Sequence, residues 1–328
     1  LSDHQWPIKI VKLYASSTRN ETILITKAVN NSVNLGPITI HAHVFNITNY
    51  TWTNVSVLGQ LSDNQNENVE DFDGCYLNNG DYMVVYGLRN SAVYFRIFNG
   101  NIWSGQMIAY PNIGGIPRFI DARCRPGSNE VIVAILTSAR DVYTLYFNNT
   151  FGYTSGSWGF LMQHASNAAS QNFEGIDLEW SNNDSSRGVF AYSNTSTLTY
   201  SVAKTWNATN GNLTWGSGHI SPEFGYVIGG ITIRAHPNKD TYNNSYLVGF
   251  SRGSFSNPTP TRLFKIHNYT PSFTTIISTN ITNQSHFGII SEDWDIAWEK
   301  SGKIALSVYG IRNGSLMYRF FNNTNDSV

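Results

Sequence analysis

The chain has 328 residues, 41% of them hydrophobic and 14% aromatic, with 21 basic against 22 acidic side chains and a net charge of −1. The hydrophobic content excludes charge-driven disorder, and the balanced charge excludes the electrostatic footprint of a nucleic-acid binder or a polybasic membrane patch. The longest aliphatic run, residues 131–136, falls far short of the roughly 20 residues that span a bilayer. Only 13% of residues are charged, beside 38 Asn, 34 Ser and 27 Thr, so uncharged groups carry the polarity. A start at Leu1 with no basic and apolar leader is the expectation for a mature product.

Taken in chain order, runs rich in β-branched and aromatic residues, bounded by Gly, Asn and Ser, fall into six groups. The first group holds Tyr14, runs at 22–29 and 39–45, and then Trp52. The second has a run ending near Cys75, then 82–88, 93–98 and Trp103; the third begins at Asp121 and continues through Cys124, 131–136 and 143–147 to Trp158. A fourth begins at Asp177 and continues through Trp180, 188–193 and 198–206 to Trp215. In the fifth, a run ending near His236 precedes 246–251, 262–267 and Phe273. The sixth begins at Asp295, passes Trp298 and continues at 303–310 and 316–321, with no aromatic anchor after it. One turn signature recurs throughout: Phe45-Asn46, Phe98-Asn99, Phe147-Asn148, Trp206-Asn207, His267-Asn268 and Phe321-Asn322.

Six repeats of about four strands each resemble the secreted and cell-surface β-propeller repeat proteins, whose blades are four-stranded antiparallel sheets. The resemblance implies an all-β, six-bladed propeller in a single domain spanning 1–328, with blades near 6–62, 69–112, 117–165, 173–221, 227–280 and 291–328. A large β-sandwich is the rival arrangement. The short sixth repeat predicts a last blade completed by the N-terminus, through Trp6, or by another subunit at an open strand edge. Cys75 and Cys124 occupy equivalent positions in neighbouring repeats, each nine residues before the centre of the next run, so a disulfide between them is expected.

Asn-x-Ser/Thr sequons number 17: Asn20, Asn30, Asn46, Asn49, Asn54, Asn148, Asn183, Asn194, Asn207, Asn212, Asn243, Asn268, Asn280, Asn283, Asn313, Asn322 and Asn325. Random placement at this Ser and Thr content gives roughly 7. The excess points to export through a glycosylating pathway, an extracellular or cell-surface location and sugars on exposed loops. Five of the six repeat turns are sequons; the exception is Asn99, in Asn99-Gly100-Asn101, within a sequon-free stretch from Asn54 to Asn148. Because a bulky sugar is incompatible with close protein contact, blades two and three are the expected interface with another copy of the chain.

For catalysis, the segment from Phe173 through Glu174, Asp177 and Glu179 to Trp180 resembles the acidic strand motif of substrate-assisted retaining chitinases. Ser181 stands where the proton-donating Glu belongs, however, so that chemistry lacks its acid. Inner-strand acids Asp121, Asp177 and Asp295 offer either an acid/base set or acceptors for backbone N–H groups of the next blade; the second reading is preferred. His41-Ala42-His43 places two imidazoles on one strand face without an identifiable third metal ligand. The acids of 63–73 (Asp63, Glu67, Glu70, Asp71 and Asp73) lack calcium-loop spacing and read as a solvated connection. No cofactor or metal is expected. The function expected is a non-enzymatic, heavily N-glycosylated extracellular structural protein, the self-associating subunit of a filament, sheath or surface layer. The alternatives are a propeller glycoside hydrolase or carbohydrate-binding lectin, and an adhesin or receptor head domain.

Overall fold

The computed structural model describes residues 8–16, 18–29, 38–60, 69–168, 174–182, 184–194, 200–221, 228–237, 245–252, 261–267, 270–275, 294–310 and 316–322. The strands form six antiparallel sheets in chain order, the arrangement of a six-bladed β-propeller. The first sheet takes β1 (Ile8–Ala15), β2 (Glu21–Val29), β3 (Ile38–Asn46) and β4 (Thr51–Gln60) in sequence order. The second takes β5 (Phe72–Tyr76), β6 (Tyr82–Gly87), β7 (Val93–Phe98) and β8 (Met107–Tyr110); the third takes β9 (Pro117–Cys124), β10 (Val131–Thr137), β11 (Val142–Phe147) and β12 (Trp158–Ala165). In the fourth, β13 (Ile176–Trp180), β14 (Arg187–Ser193), β15 (Ser201–Thr209) and β16 (Asn212–Trp215) are joined by β17 (His219–Ile220), which also pairs with β15. The fifth holds β18 (Ile228–Ala235), β19 (Tyr246–Arg252), β20 (Thr261–His267) and β21 (Thr270–Thr275). The sixth has three strands among the described residues, β22 (Trp294–Trp298), β23 (Ile304–Gly310) and β24 (Leu316–Asn322).

The second strands of the second and third sheets carry continuous apolar runs with both faces and both edges covered. Every residue of β6 (YMVVYG) and of β10 (VIVAILT) is buried. Outer strands alternate or open to solvent, as β8 and β16 do, which is the pattern of a half-covered edge. In the first four repeats the Asn turn lies where the third strand hands over to the fourth. Asn46 accepts the N–H of Asn49 at 3.1 Å, Asn99 those of Asn101 and Ile102 at 3.0 Å each, and Asn148 that of Thr150 at 3.0 Å. Asparagine suits these turns because its side chain stands in for a backbone acceptor.

The chain divides into two compact units, Leu1–Ile132 with Phe147–Gly159, and Val133–Tyr146 with Phe160–Val328. The first unit's core runs from Ile23, Ile25, Ile40 and Ala42 of the first sheet to Phe72, Tyr82, Val84 and Tyr86 of the second. In the second unit, Val189, Ala191 and Ala203 pack on Ile231, Ile233, Tyr246 and Val248.

The N-terminal strand is the first strand of the first sheet, paired antiparallel with β2 from Ile8↔Ala28 to Ala15↔Thr22. Trp6, expected to close the last blade, lies outside the described residues.

Candidate functional site

Innermost strands carry the acids on which a catalytic reading depends, and the structure spends them on neighbouring strands. On β5, buried Asp73 accepts the N–H of Ala122 in β9 at 2.8 Å and that of the Arg123 guanidinium at 3.1 Å through one oxygen. Its other oxygen takes the Tyr14 hydroxyl and lies 3.7 Å from Lys12 Nζ. Burial alone would raise the Asp73 carboxyl, but Lys12, Arg123 and the Ala122 N–H together hold it below the usual carboxylate range. The Tyr14 hydroxyl is pushed well above its ordinary value by burial and then by the Asp73 charge. Asp73 is therefore a fixed anion and Tyr14 a fixed donor, and neither exchanges a proton near neutral pH.

The second unit repeats the device. Asp177 on β13 accepts the N–H of Ile233 in β18 at 2.5 Å and lies 3.5 Å from Arg234 Nη1, while its other oxygen takes the N–H of Leu178 at 2.7 Å. Arg234 continues to Asp295 of β22 at 2.6 Å, and the Trp298 indole donates to the Arg234 carbonyl at 3.2 Å. In both units a carboxylate reaches the N–H of the next inner strand, and an arginine one residue further along that strand neutralises it. The expected backbone-acceptor role is thus met by Asp177. Asp295 binds its own neighbour's N–H, that of Ile296 at 2.7 Å, and Asp121 pairs with Arg123. Sequence reasoning missed Asp73 as the counterpart of Asp177 because it was grouped with the acids of 63–73. The signal was an Arg two residues past the equivalent inner-strand position of the following repeat, at Arg123 and Arg234.

The reading of 63–73 as a solvated connection is corrected for the acids that are described. Glu70 and Asp71 are 6% and 1% exposed. Glu70 meets Lys12 at 3.2 Å, and Asp71 meets the equally buried Lys27 at 2.7 Å, whose ammonium also donates to the Val69 carbonyl at 3.0 Å. Two lysines on the first sheet hold these carboxylates inside; Asp63 and Glu67 lie outside the described residues.

His41 and His43 are buried and hydrogen-bonded to Thr39 at 2.6 Å and Thr26 at 3.2 Å. Ser181, at the chitinase-like acid position, is buried and accepts the Asp184 N–H at 3.1 Å as part of a turn. Cys75 and Cys124 form a disulfide between β5 and β9, with Cα atoms 5.6 Å apart.

Most aromatic anchors pack inward. Trp103 lies against Phe98 and Tyr82, buried Trp158 against Phe95 and Phe147, and Trp215 against His164 and Trp206. Trp52 differs: it rests on Phe45 at 5.1 Å yet stays 40% exposed, beside Tyr50 at 79%.

Among the sequons, Asn20, Asn46, Asn49, Asn148, Asn194, Asn207, Asn212 and Asn322 have described side chains, each half-buried or exposed. Asn54 lies in β4, and Asn30, Asn183, Asn243, Asn268, Asn280, Asn283, Asn313 and Asn325 lie outside the described residues. The turn that lacks a sequon is crowded. Gly100 has φ +93°, and a Cβ there would stand 2.0 Å from Arg19 Nη1, so the β1–β2 turn is pressed onto it.

The last described strand is mostly uncovered. Leu316, Met317, Tyr318 and Phe320 of β24 are 74%, 42%, 63% and 56% exposed, and Phe321 alone is buried.

No protein-family model and no curated protein matches the chain. Solved structures do share its fold. A provisionally assigned 6-phosphogluconolactonase of Bacteroides uniformis aligns with TM-score 0.56 at 10% identity, over 96% of this chain and 82% of that one. A second, of Bacteroides fragilis, aligns with TM-score 0.51 at 11% identity, over 94% and 83%. A single-residue variant of the Aleuria aurantia lectin, in complex with α-methyl-L-fucoside, aligns with TM-score 0.50 at 9% identity, over 95% and 92%. At these identities the likeness is one of fold.

Proposed function

We propose that the chain is a non-enzymatic, N-glycosylated extracellular β-propeller that acts by protein contact, as a repeating structural unit. The observation that carries this reading is the exposed apolar side chains of β24. Third strands elsewhere are covered by a fourth: all six residues of β11 and four of six in β7 are buried. In β24 one residue of seven is buried, and Leu316, Tyr318 and Phe320 alternate along one face. An exposed apolar strand face is a template for another chain. The occupant in this reading is a second copy, meeting β24 with the outer edge of its second sheet. Ile102 and Ile108 are 66% and 43% exposed there, and residues 55–147 carry no sequon. A contact between two different patches repeats head to tail and builds a polymer.

Sedimentation and negative-stain electron microscopy of the glycosylated protein test this. The wild type is expected to form repeating arrays, and Tyr318→Lys with Phe320→Lys to leave folded single particles. A monodisperse wild type, or a variant that still forms arrays, overturns the reading.

Carbohydrate binding is the second reading. It is supported by the shared fold of the lectin solved with α-methyl-L-fucoside, and by Trp52 and Tyr50 exposed together on one hairpin, since aromatic faces serve as sugar platforms. Saturable quenching of tryptophan fluorescence by a methyl fucoside, lost in Trp52→Ala, would favour it.

A further inference from the structure

One side of the fourth sheet sets aromatic rings around a lysine. Across its strands Phe190 lies opposite Lys204, Trp206 opposite Trp215, and Val202 opposite Ile220. Cross-strand partners and alternate residues share a side, so Lys204 stands among Phe190, Tyr192, Trp206, Trp215 and Ile220. His164 of β12 lies over the same side, its ring 4.4 Å from Trp215 and 5.0 Å from Phe190. The outer edge breaks beside the lysine, where Gly216-Ser217-Gly218 between β16 and β17 is exposed. A Cβ at Gly218 would stand 3.3 Å from Lys204 Cε, so glycine leaves that flank of the stem open.

No acid of the sheet faces this ammonium. Asp177 and Glu179 of β13 lie opposite Ala191 and Val189 and so occupy the other side, as does His219, opposite Ala203. Among the described residues no hydrogen bond or ion pair reaches Lys204, and burial lowers its ammonium below the ordinary range. The titratable groups that face it are His164 and Tyr192. Burial pushes the His164 imidazole down to about 3 and the Tyr192 phenol up, so both are neutral at pH 7. The His164 Nε2 meets the Thr144 hydroxyl at 2.9 Å, while its Nδ1 is buried without a partner.

We propose that Lys204, half-buried Trp215 and exposed Ile220 form a binding site for a carboxylate carried on a ring. The carboxylate pairs with the ammonium, and the ring covers the indole and the isoleucine. A single negative charge matches the one cation, and a charge-assisted hydrogen bond supplies the partner that Lys204 lacks. An aromatic wall with one placed polar group is the usual construction of a small-ligand site. An acidic sugar and an aromatic acid share this chemistry. The site has no residue in common with the Trp52 hairpin and requires no assembly.

Calorimetric titration with methyl glucuronide and with benzoate distinguishes the two sources. Methyl glucoside, without the charge, and acetate, without the ring, are the controls. At least one of the two acids should bind about tenfold or more tightly than both controls, the worth of one charge-assisted hydrogen bond. Lys204→Met should abolish that preference, and Lys204→Arg should keep it. Affinity should fall as pH rises through the Lys204 titration. A second measurement needs no variant: NMR of the wild type, its lysines reductively methylated with labelled carbon, follows the Lys204 titration directly. By linkage, saturating acid should move that titration to higher pH, and methyl glucoside should leave it in place. Neither acid exceeding the controls, a preference that survives Lys204→Met, or a Lys204 titration unmoved by the bound acid overturns the proposal.

Discussion

Replacing Lys27 by methionine probes the most deeply buried charge in the first unit. Lys27 and Asp71 have side chains 1% and 2% exposed, joined at 2.7 Å, and the ammonium also satisfies the Val69 carbonyl. Methionine matches the lysine stem but removes all of these donors, leaving a carboxylate and a carbonyl desolvated. Breaking one side of a buried pair costs about 3–5 kcal/mol, a factor of about 10³ in the folding constant at the middle of that range. Replacing both partners, as in Lys27→Met with Asp71→Leu, should recover most of that loss, because well-packed apolar groups of similar volume are often neutral against a buried ion pair. Urea unfolding followed by tryptophan fluorescence gives the three free energies of the cycle. A Lys27→Met loss below about 1 kcal/mol, or a double variant that loses the sum of the two single losses, refutes a buried, mutually dependent pair.

Three further outcomes are expected. Reducing the Cys75–Cys124 bond, which closes a loop of sequence separation 49, should lower stability by about 4 kcal/mol by the chain-entropy relation, read as a drop in the urea midpoint with reductant. Gly188→Ala should cost about 1–3 kcal/mol in the same assay, since its Cβ would stand 2.0 Å from the Trp206 ring and 2.5 Å from the Glu179 carbonyl oxygen, which cannot yield. Burial, with Lys204 adding to it, pushes the His164 imidazole down to about 3 from an ordinary 6.5. The unfolded chain then binds the proton that the native one refuses. Stability should fall as pH drops from 6.5 towards 3, by up to about 1.4 kcal/mol per unit, and His164→Phe should flatten that slope in acid titrations followed by circular dichroism.

The strand framework was legible because each repeat satisfies one local rule after another: an apolar second run, an aromatic-Asn corner, an anchor beyond it. Phe98-Asn99 and Trp206-Asn207 mark β7 and β15 to within two residues of their ends. Burial of Glu70, Asp71 and Asp73 was not legible, because what decides it is distant in sequence. Asp71 reads as solvent-facing until Lys27 is placed against it, 44 residues away. The same holds for the anchors Trp103 and Trp215, whose partners Tyr82 and His164 lie outside their own turns.

A buried inner-strand carboxylate looks alike in sequence whether it catalyses or braces; its partners decide which. Catalysis needs a carboxyl whose proton is available near the working pH, or an anion with room for a substrate atom beside it. Asp73 and Asp177 instead fill their acceptor positions with a backbone N–H from the next strand and an arginine, and Asp73 is held ionised by that arrangement. Because that N–H belongs to a strand of another sheet, the bond also fixes the relative register of the two inner strands. A neutral Asn at 73 or 177 would keep one acceptor but lose the charge that Arg123 or Arg234 requires. The pairing therefore explains both residues at once: the acid recurs because a strand needs bracing, and the arginine two positions into the next repeat recurs because the acid is buried.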